Sequence, residues 1–483
     1  MIAMTVAELA AVLGAELTGA GDPEVLVRAV TADSRAVGPG SLFVALPGAR
    51  VDGHAYVAGA EAAGAVAALT VRPVGDGLCL VVPDPLEAMG RLARHVVDRG
   101  REHGLSVVGI TGSQGKTSTK DLLAQVLERA GSTVAPLGNL NNELGVPLTA
   151  ARIEESTRFL VAELGARGIG HIAYLCTIVA PSVGVVLNVG HAHVGEFGGQ
   201  GAIARAKGEL VESLPPTGWA VLNAADPLVW AMRTRTRAPV LAFAVEPDEL
   251  VSADRWVWAD QLVSDGGGRY AFRLQARDAG GSVLAEPVQL TGVGRHQVAN
   301  ATAAAAAAVA LGLELDLVAA GLSAALPRSR WRMELHETFD GVLVVNDAYN
   351  ANPDSMRASV ETAVELGRLR SGRVVAVLGD MLELGPETEP EHVRLGELVA
   401  GSGIHRLIAM GEFAPMLAAA ARAAGLAEVT VAADREAAFQ EAVADLTPGD
   451  VVLVKASRGL ALNTVADQIV THARPAKRNG DPA

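Results

Sequence analysis

The feature that most constrains this chain is the segment Gly109-Ile-Thr-Gly112-Ser-Gln-Gly115-Lys116-Thr117-Ser118. It follows an apolar run beginning at Ser106 and precedes a stretch of helical periodicity over residues 117–130, so it reads as strand, glycine turn, helix. In such a turn the backbone N–H groups converge on phosphate oxygens, and the helix N-terminus adds positive potential. Lys116 is placed to reach the terminal phosphates and the Thr117 hydroxyl to ligate Mg²⁺. Ile110 stands where an eight-residue Walker A pattern has its first glycine, so this is a shorter form of the motif. Thr111, Gly112, Ser113, Gln114, Gly115, Lys116, Thr117 and Ser118 are the candidate ATP-binding residues.

A phosphate loop of this kind belongs to a parallel sheet covered on both faces, and the chain around it fits. Residues 159–164, 183–189 and 219–222 read as buried strands separated by helical segments. Between 256 and 290 the pattern turns to alternation around Gly266-Gly267-Gly268, which predicts antiparallel hairpins appended to that sheet. From about Arg330, apolar runs at 342–346, 374–378, 406–410 and 450–454 alternate with helices and predict a second doubly wound unit. The first hundred residues carry short strand-like runs at 41–46 and 78–82. At 483 residues the chain exceeds one core. The expected fold class is α/β in three domains: a small N-terminal domain over 1–104, a central phosphate-loop domain with a parallel sheet over 105–328, and a Rossmann-like C-terminal domain over 329–474. A polar, disordered tail is expected over 475–483.

Charge and apolar content exclude several classes of function. A formal charge of −14 argues against nucleic acid and anionic membranes as partners. The alanine-rich tract at 301–313 is too short for a bilayer, which needs about 20 residues, and predicts a buried helix. The start of the chain lacks the basic-then-apolar order of a signal peptide, and Cys79 and Cys176 form neither a zinc pattern nor a disulfide framework. A cytoplasmic monomer without a membrane span is the expectation.

Other candidates sit at strand ends. Glu163 ends an apolar run and His193 follows another, and the C-terminal edge of such strands is where open α/β sheets bind ligands. Beside a phosphate loop they offer Mg²⁺ a carboxylate and an imidazole. The stretch 138–147, which contains Asn141 and Asn142, reads locally as an Asn-rich loop. Lys207 lies on a helix between Ala206 and Gly208, small neighbours that leave room for close packing.

Taken together these tracts resemble the Mur ligase family. The phosphate loop, the Asn-rich loop ending in Gly145-Val-Pro, Glu163-Leu-Gly-Ala, Asn188 to His193, Ala206-Lys207-Gly208-Glu209 and Gly294-Arg-His296-Gln-Val-Ala-Asn300 stand in the family's order and spacing. The likeness spans essentially the whole chain, with Gln297 departing from the family's usual Asn. It implies that Glu163 and His193 hold magnesium together with Thr117, that Lys207 is carbamylated and supplies an oxygen to a second Mg²⁺, and that Asn300 contacts adenine. Asn346-Asp347-Ala-Tyr349-Asn350-Ala-Asn352-Pro-Asp-Ser-Met356 has the form of the member that adds a dipeptide. Asp33-Ser34-Arg35 resembles the family's uridine-nucleotide segment, which makes the N-terminal domain the UDP-binding one. The implied substrates are UDP-N-acetylmuramoyl-tripeptide, D-alanyl-D-alanine and ATP. Ser34, Arg35, Asn141, Asn142, Tyr349, Asn350 and Asn352 are then expected at the substrates, and Arg330 and Asp347 near the nucleotide or the reacting centre.

Overall fold

The computed structural model describes residues 1–48, 51–190, 199–246, 253–278 and 280–472. His193 and the expected tail at 475–483 lie outside the described residues.

The central sheet has nine strands. Seven are parallel, in the spatial order Thr133–Val134, Phe159–Glu163, Ser106–Thr111, Val183–Val186, Trp219–Asn223, Val240–Val245 and Trp256–Ser264. Arg269–Arg277 and Val283–Val293 continue it antiparallel. The hairpins foreseen from the alternation at 256–290 are present. Ser106–Thr111 sits between two strands that run the same way, Phe159–Glu163 on one side and Val183–Val186 on the other. The loop after it therefore opens into the crevice between their C-terminal ends. Register pairs Glu163 with Ile110 and Val186 with Thr111, so Glu163 and the residues after Val186 flank the phosphate loop. Helices cover both faces. Lys116–Glu128, His296–Ala310 and Leu315–Ala324 pack on one, and the alanines of His296–Ala310 are buried there because their small side chains let helix approach sheet closely. His171–Val179 and Gln200–Glu212 pack on the other, in a core continuous with the N-terminal region through Pro85–Glu102.

The N-terminal sheet has five strands, ordered Glu16–Thr18, Cys79–Val81, Ala65–Thr70, Ser41–Val44 and Ala29–Thr31, with only the first pair antiparallel. The C-terminal sheet has six: Glu334–Glu337, Leu343–Asn346, Val451–Lys455, Val374–Gly379, Arg406–Met410 and Glu428–Ala432. Its four central strands are the apolar runs read from the sequence. The two edge strands are half-exposed and carry mixed residues, so no apolar run marks them. No helix among the described residues is long and apolar enough to cross a membrane, and both cysteines are buried and free.

Candidate active site

The phosphate loop owes its shape to two glycines. Gly115 has φ of +81° and caps the helix Lys116–Glu128, and a Cβ there would come within 2.4 Å of the Asn300 amide oxygen. A Cβ on Gly112 would sit 2.8 Å from Leu187 Cβ. Asn188 clamps the loop from the neighbouring strand end: its carbonyl accepts from Ser113 N–H at 3.2 Å, its side-chain oxygen from Gln114 N–H at 3.0 Å, and its amide donates to Gln114 O at 3.2 Å. Lys116 folds back to donate to Gly112 O at 2.7 Å. Burial, only partly offset by Glu163 and reinforced by Arg332, holds its ammonium below the usual lysine range.

Thr117 and Glu163 meet at the base of this loop. The Thr117 hydroxyl donates to Glu163 Oε2 at 3.0 Å, and Asn141 Nδ2 donates to Glu163 Oε1 at 2.8 Å. Glu163 is 1% exposed. Each carboxylate oxygen keeps a lone pair, so a buried carboxylate and a hydroxyl stand together where a loop can present phosphate oxygens. That hard-oxygen donor set fits Mg²⁺. Among the described residues no three His, Cys, Asp or Glu side chains converge on a metal position.

A cleft of about 560 Å³ opens above this pair. Loop residues 112–118 line it, with Asn141, Asn142 and Glu163 on one side and Lys207 and Asn300 on another. Asp347, Tyr349, Asn350 and Asn352 close it from the C-terminal unit. Lys207 is 6% exposed and makes no hydrogen bond or ion pair among the described residues; burial first, then Lys116, hold its pKa well below the ordinary lysine value.

Four expected residues lie elsewhere. Thr111 is fully buried beneath the loop and donates to Leu164 O at 2.9 Å. Arg330 is exposed and stacks over Trp331 at 5.4 Å, outside the cleft lining. Ser34 and Arg35 lie in a short 3-10 turn, where the Arg35 guanidinium, 88% exposed, pairs with Asp33 at 2.8 Å and draws its carboxyl down to about 2. They are not in the cleft lining.

Other cleft residues had no role assigned from the sequence, although Lys455 and Arg458 lie in a tract, Val454 to Arg458, that also resembles the dipeptide-adding form. Arg332 lines the cleft and lies 4.2 Å over the Tyr349 ring, in the place assigned to Arg330. Arg458 Nη1 donates to the Tyr349 hydroxyl at 3.3 Å. Lys455, 2% exposed, donates to Asp347 Oδ2 at 2.5 Å and to Asn350 O at 2.9 Å. Asp347 also accepts from Met333 N–H at 3.0 Å and Ser359 Oγ at 2.6 Å, so donors of the protein hold both oxygens of its carboxylate. The parallel pairing of Asn346 with Val454 is what sets Asp347 beside Lys455. Asn352 caps the helix Pro353–Arg370 in a reciprocal box with Ser355.

Comparison with known proteins agrees with this arrangement. The family models for the Mur ligase middle domain, the Mur ligase glutamate ligase domain and the Mur ligase family catalytic domain match residues 110–308, 331–458 and 26–96. Over 97% of its length the chain is 42% identical to a Mycobacterium tuberculosis protein named UDP-N-acetylmuramoyl-tripeptide--D-alanyl-D-alanine ligase, covering 98% of that protein. It is 36% identical to the Escherichia coli protein of the same name, with 85% and 87% of the two chains covered. Among solved structures, MurF from Acinetobacter baumannii superposes with a TM-score of 0.84 at 30% identity, covering 97% of this chain and 99% of that one. MurF ligase from Thermotoga maritima in complex with ADP gives 0.77 at 28% identity, with 92% and 98% covered. Fold, phosphate loop and relatives over nearly the full length agree, and the chain belongs to the Mur ligase family.

Proposed function

We infer that this chain is an ATP-dependent ligase that joins D-alanyl-D-alanine to UDP-N-acetylmuramoyl-tripeptide, giving the pentapeptide precursor of peptidoglycan. The observation that carries the reading is the 42% identity over 97% of the chain to ligases of that name, held on a cleft with a phosphate loop at its base.

The chemistry asks for a better leaving group on a carboxylate. A carboxylate oxygen of the tripeptide attacks the terminal phosphorus of ATP, ADP departs, and the acyl phosphate forms. The dipeptide amine then adds to the acyl carbon, and the tetrahedral oxyanion collapses with loss of phosphate and a proton. In this reading the loop N–H groups and Lys116 bind the β- and γ-phosphates and neutralise their charge, largely through fixed position. Thr117 and Glu163, joined by His193, hold a magnesium ion, and Lys207 as a carbamate holds a second. The ions supply charge neutralisation to the transferring phosphoryl group. Desolvation favours the neutral Lys207 amine, the only form that adds CO₂. Asn300 and Arg332 flank the nucleotide, Tyr349, Asn350 and Asn352 face the reacting end of the substrates, and Asp347 with Lys455 shapes that wall. Ser34 and Arg35 bind the UDP-linked sugar from the N-terminal domain (1–104), while the central (105–328) and C-terminal (329–474) domains hold ATP and the dipeptide.

In this reading the working unit is a monomer. Two free, buried cysteines and the use of ATP support a cytoplasmic setting.

The test is ADP release with UDP-N-acetylmuramoyl-tripeptide, with and without D-alanyl-D-alanine, followed by mass analysis. Conversion dependent on the dipeptide supports the reading. Faster conversion of UDP-N-acetylmuramoyl-dipeptide with a free diamino acid would replace it with a ligase that adds the third residue.

A further inference from the structure

One buried charge at this site has no part in the reaction described above. Lys120, a turn beyond Lys116 on the phosphate-loop helix, is 2% exposed. Its ammonium donates to Pro136 O at 3.0 Å and to Gly138 O at 3.3 Å, and pairs with Asp121 Oδ1 at 2.6 Å. The other Asp121 oxygen accepts from Ser329 Oγ at 2.5 Å. A lysine taken this far from water needs every donor occupied, and these three acceptors do that.

The carbonyls it holds begin the Asn-rich loop. Residues 137–140 are all exposed, with Leu137 72% exposed, so apolar packing does not fix the path of the chain there. Three residues past Gly138, Asn141 donates to Glu163 Oε1 at 2.8 Å, and Glu163 accepts from Thr117 at 3.0 Å. Thr117 and Lys120 lie on the same helix. The contacts thus close a ring: helix to Glu163 through Thr117, Glu163 to the loop through Asn141, loop back to the helix through Lys120. The far side of the loop is tied separately, by Gly165 N–H to Asn141 O at 2.9 Å and Gly145 N–H to Asn142 Oδ1 at 2.8 Å.

We propose that Lys120 is a positioning residue for the Glu163 carboxylate: it tethers residues 136–138 so that Asn141 holds Glu163 in the rotamer that serves the magnesium–nucleotide complex. Its effect reaches the reaction only through Asn141 and Glu163. The inference rests on the ligase reading for its turnover readout alone.

The test compares Lys120→Met, Asn141→Ala and the double variant with the parent chain. Hydrogen exchange at residues 138–145 should quicken about tenfold or more in Lys120→Met, the signature of a loop that has lost its tether. The magnesium concentration for half-maximal binding of a fluorescent ATP analogue should rise in both single variants. The double variant should match the worse single one, because two links of one chain do not add. With substrates, kcat should fall while KM for the UDP substrate stays near the parent value. Lys120→Arg, which keeps the charge and can reach both carbonyls, should restore most of each property. Should Lys120→Met not fold, Lys120→Gln, which loses the charge and is too short to serve both carbonyls, carries the same exchange and magnesium measurements, with a shift in the same direction. Parent-like exchange and magnesium dependence in Lys120→Met, or in Lys120→Gln where it stands in, or multiplying effects in the double variant, would overturn the proposal. A parent chain inactive with these substrates would sink the ligase reading and leave the exchange and magnesium measurements still deciding the role of Lys120.

Discussion

The Thr117 hydroxyl and the Glu163 carboxylate, 46 positions apart, meet at 3.0 Å. The parallel register that sets Glu163 level with Ile110 makes the meeting obligatory once the phosphate loop follows Thr111. Glu163→Gln keeps the shape and a hydrogen-bond acceptor for Thr117 while removing the charge. It should lower kcat by about 10² to 10³, the usual loss for one preorganised electrostatic contact at a reacting centre. Steady-state turnover beside a thermal melt of the same preparation checks this. The melting temperature should change little.

Arg332 and Arg330 should separate cleanly. Arg332 lies in the cleft over Tyr349, whereas Arg330 is exposed against Trp331. Arg332→Ala should raise the KM for ATP by about tenfold or more, in line with loss of a charged contact of ~1.5 kcal/mol or above. Arg330→Ala should stay within about twofold of the parent chain, since exposed substitutions rarely exceed ~0.5 kcal/mol. ATP titrations of both variants make the comparison.

Lys455→Met leaves the Asp347 carboxylate buried with only Ser359 and the Met333 N–H to serve it. Removing one partner of a buried ion pair destabilises by about 3–5 kcal/mol. Replacing both, Asp347→Leu with Lys455→Met, should recover part of that loss. Denaturant unfolding followed by circular dichroism measures each.

Much of this site was legible in the sequence because parallel strands place their C-terminal residues predictably. Glu163, Lys116 and Thr117 follow from an apolar run, a glycine turn and a strand end. Lys120, Asp121 and Ser329 did not, because burial of a lysine depends on carbonyls such as Pro136 O that leave no mark in residue type. Arg332 and Arg330 are two residues apart, and the positive φ of +58° at Trp331 and +53° at Met333 makes the backbone path there unreadable from pattern. The strand Glu334–Glu337 was missed for a related reason: a half-exposed edge strand of Glu-Leu-His-Glu, with a single apolar residue, looks like loop. The interior strands Ser106–Thr111, Phe159–Glu163, Val183–Val186 and Trp219–Asn223, and the four central strands of the C-terminal sheet, were read to within a few residues, whereas the equally interior Val240–Val245 and Ala65–Thr70 were not.

Lys207 should give activity and stability a shared pH dependence. Burial and Lys116 lower its pKa in the folded chain, while the unfolded chain titrates near the ordinary value of about 10.4. Between the two values the unfolded chain binds more protons, so stability rises with pH across that window and the penalty is largest below it. Lys207→Met should therefore be at least as stable as the parent at neutral pH, with the advantage shrinking toward alkaline pH, as melting curves across pH will show. Activity should be lost in Lys207→Ala and partly restored by a short carboxylic acid, which offers the oxygens a carbamate would have given. A variant that loses stability, with no response to added acid, points instead to a lysine that only holds structure.

The central claim is that the cleft makes an acyl phosphate and passes it to an amine, and oxygen labelling tests that most directly. UDP-N-acetylmuramoyl-tripeptide carrying ¹⁸O in both oxygens of its terminal carboxylate is turned over with ATP and D-alanyl-D-alanine. The account predicts one ¹⁸O in each phosphate released, one ¹⁸O kept in the new amide, and ADP formed in equal amount. Unlabelled phosphate, or label appearing in AMP, would contradict it.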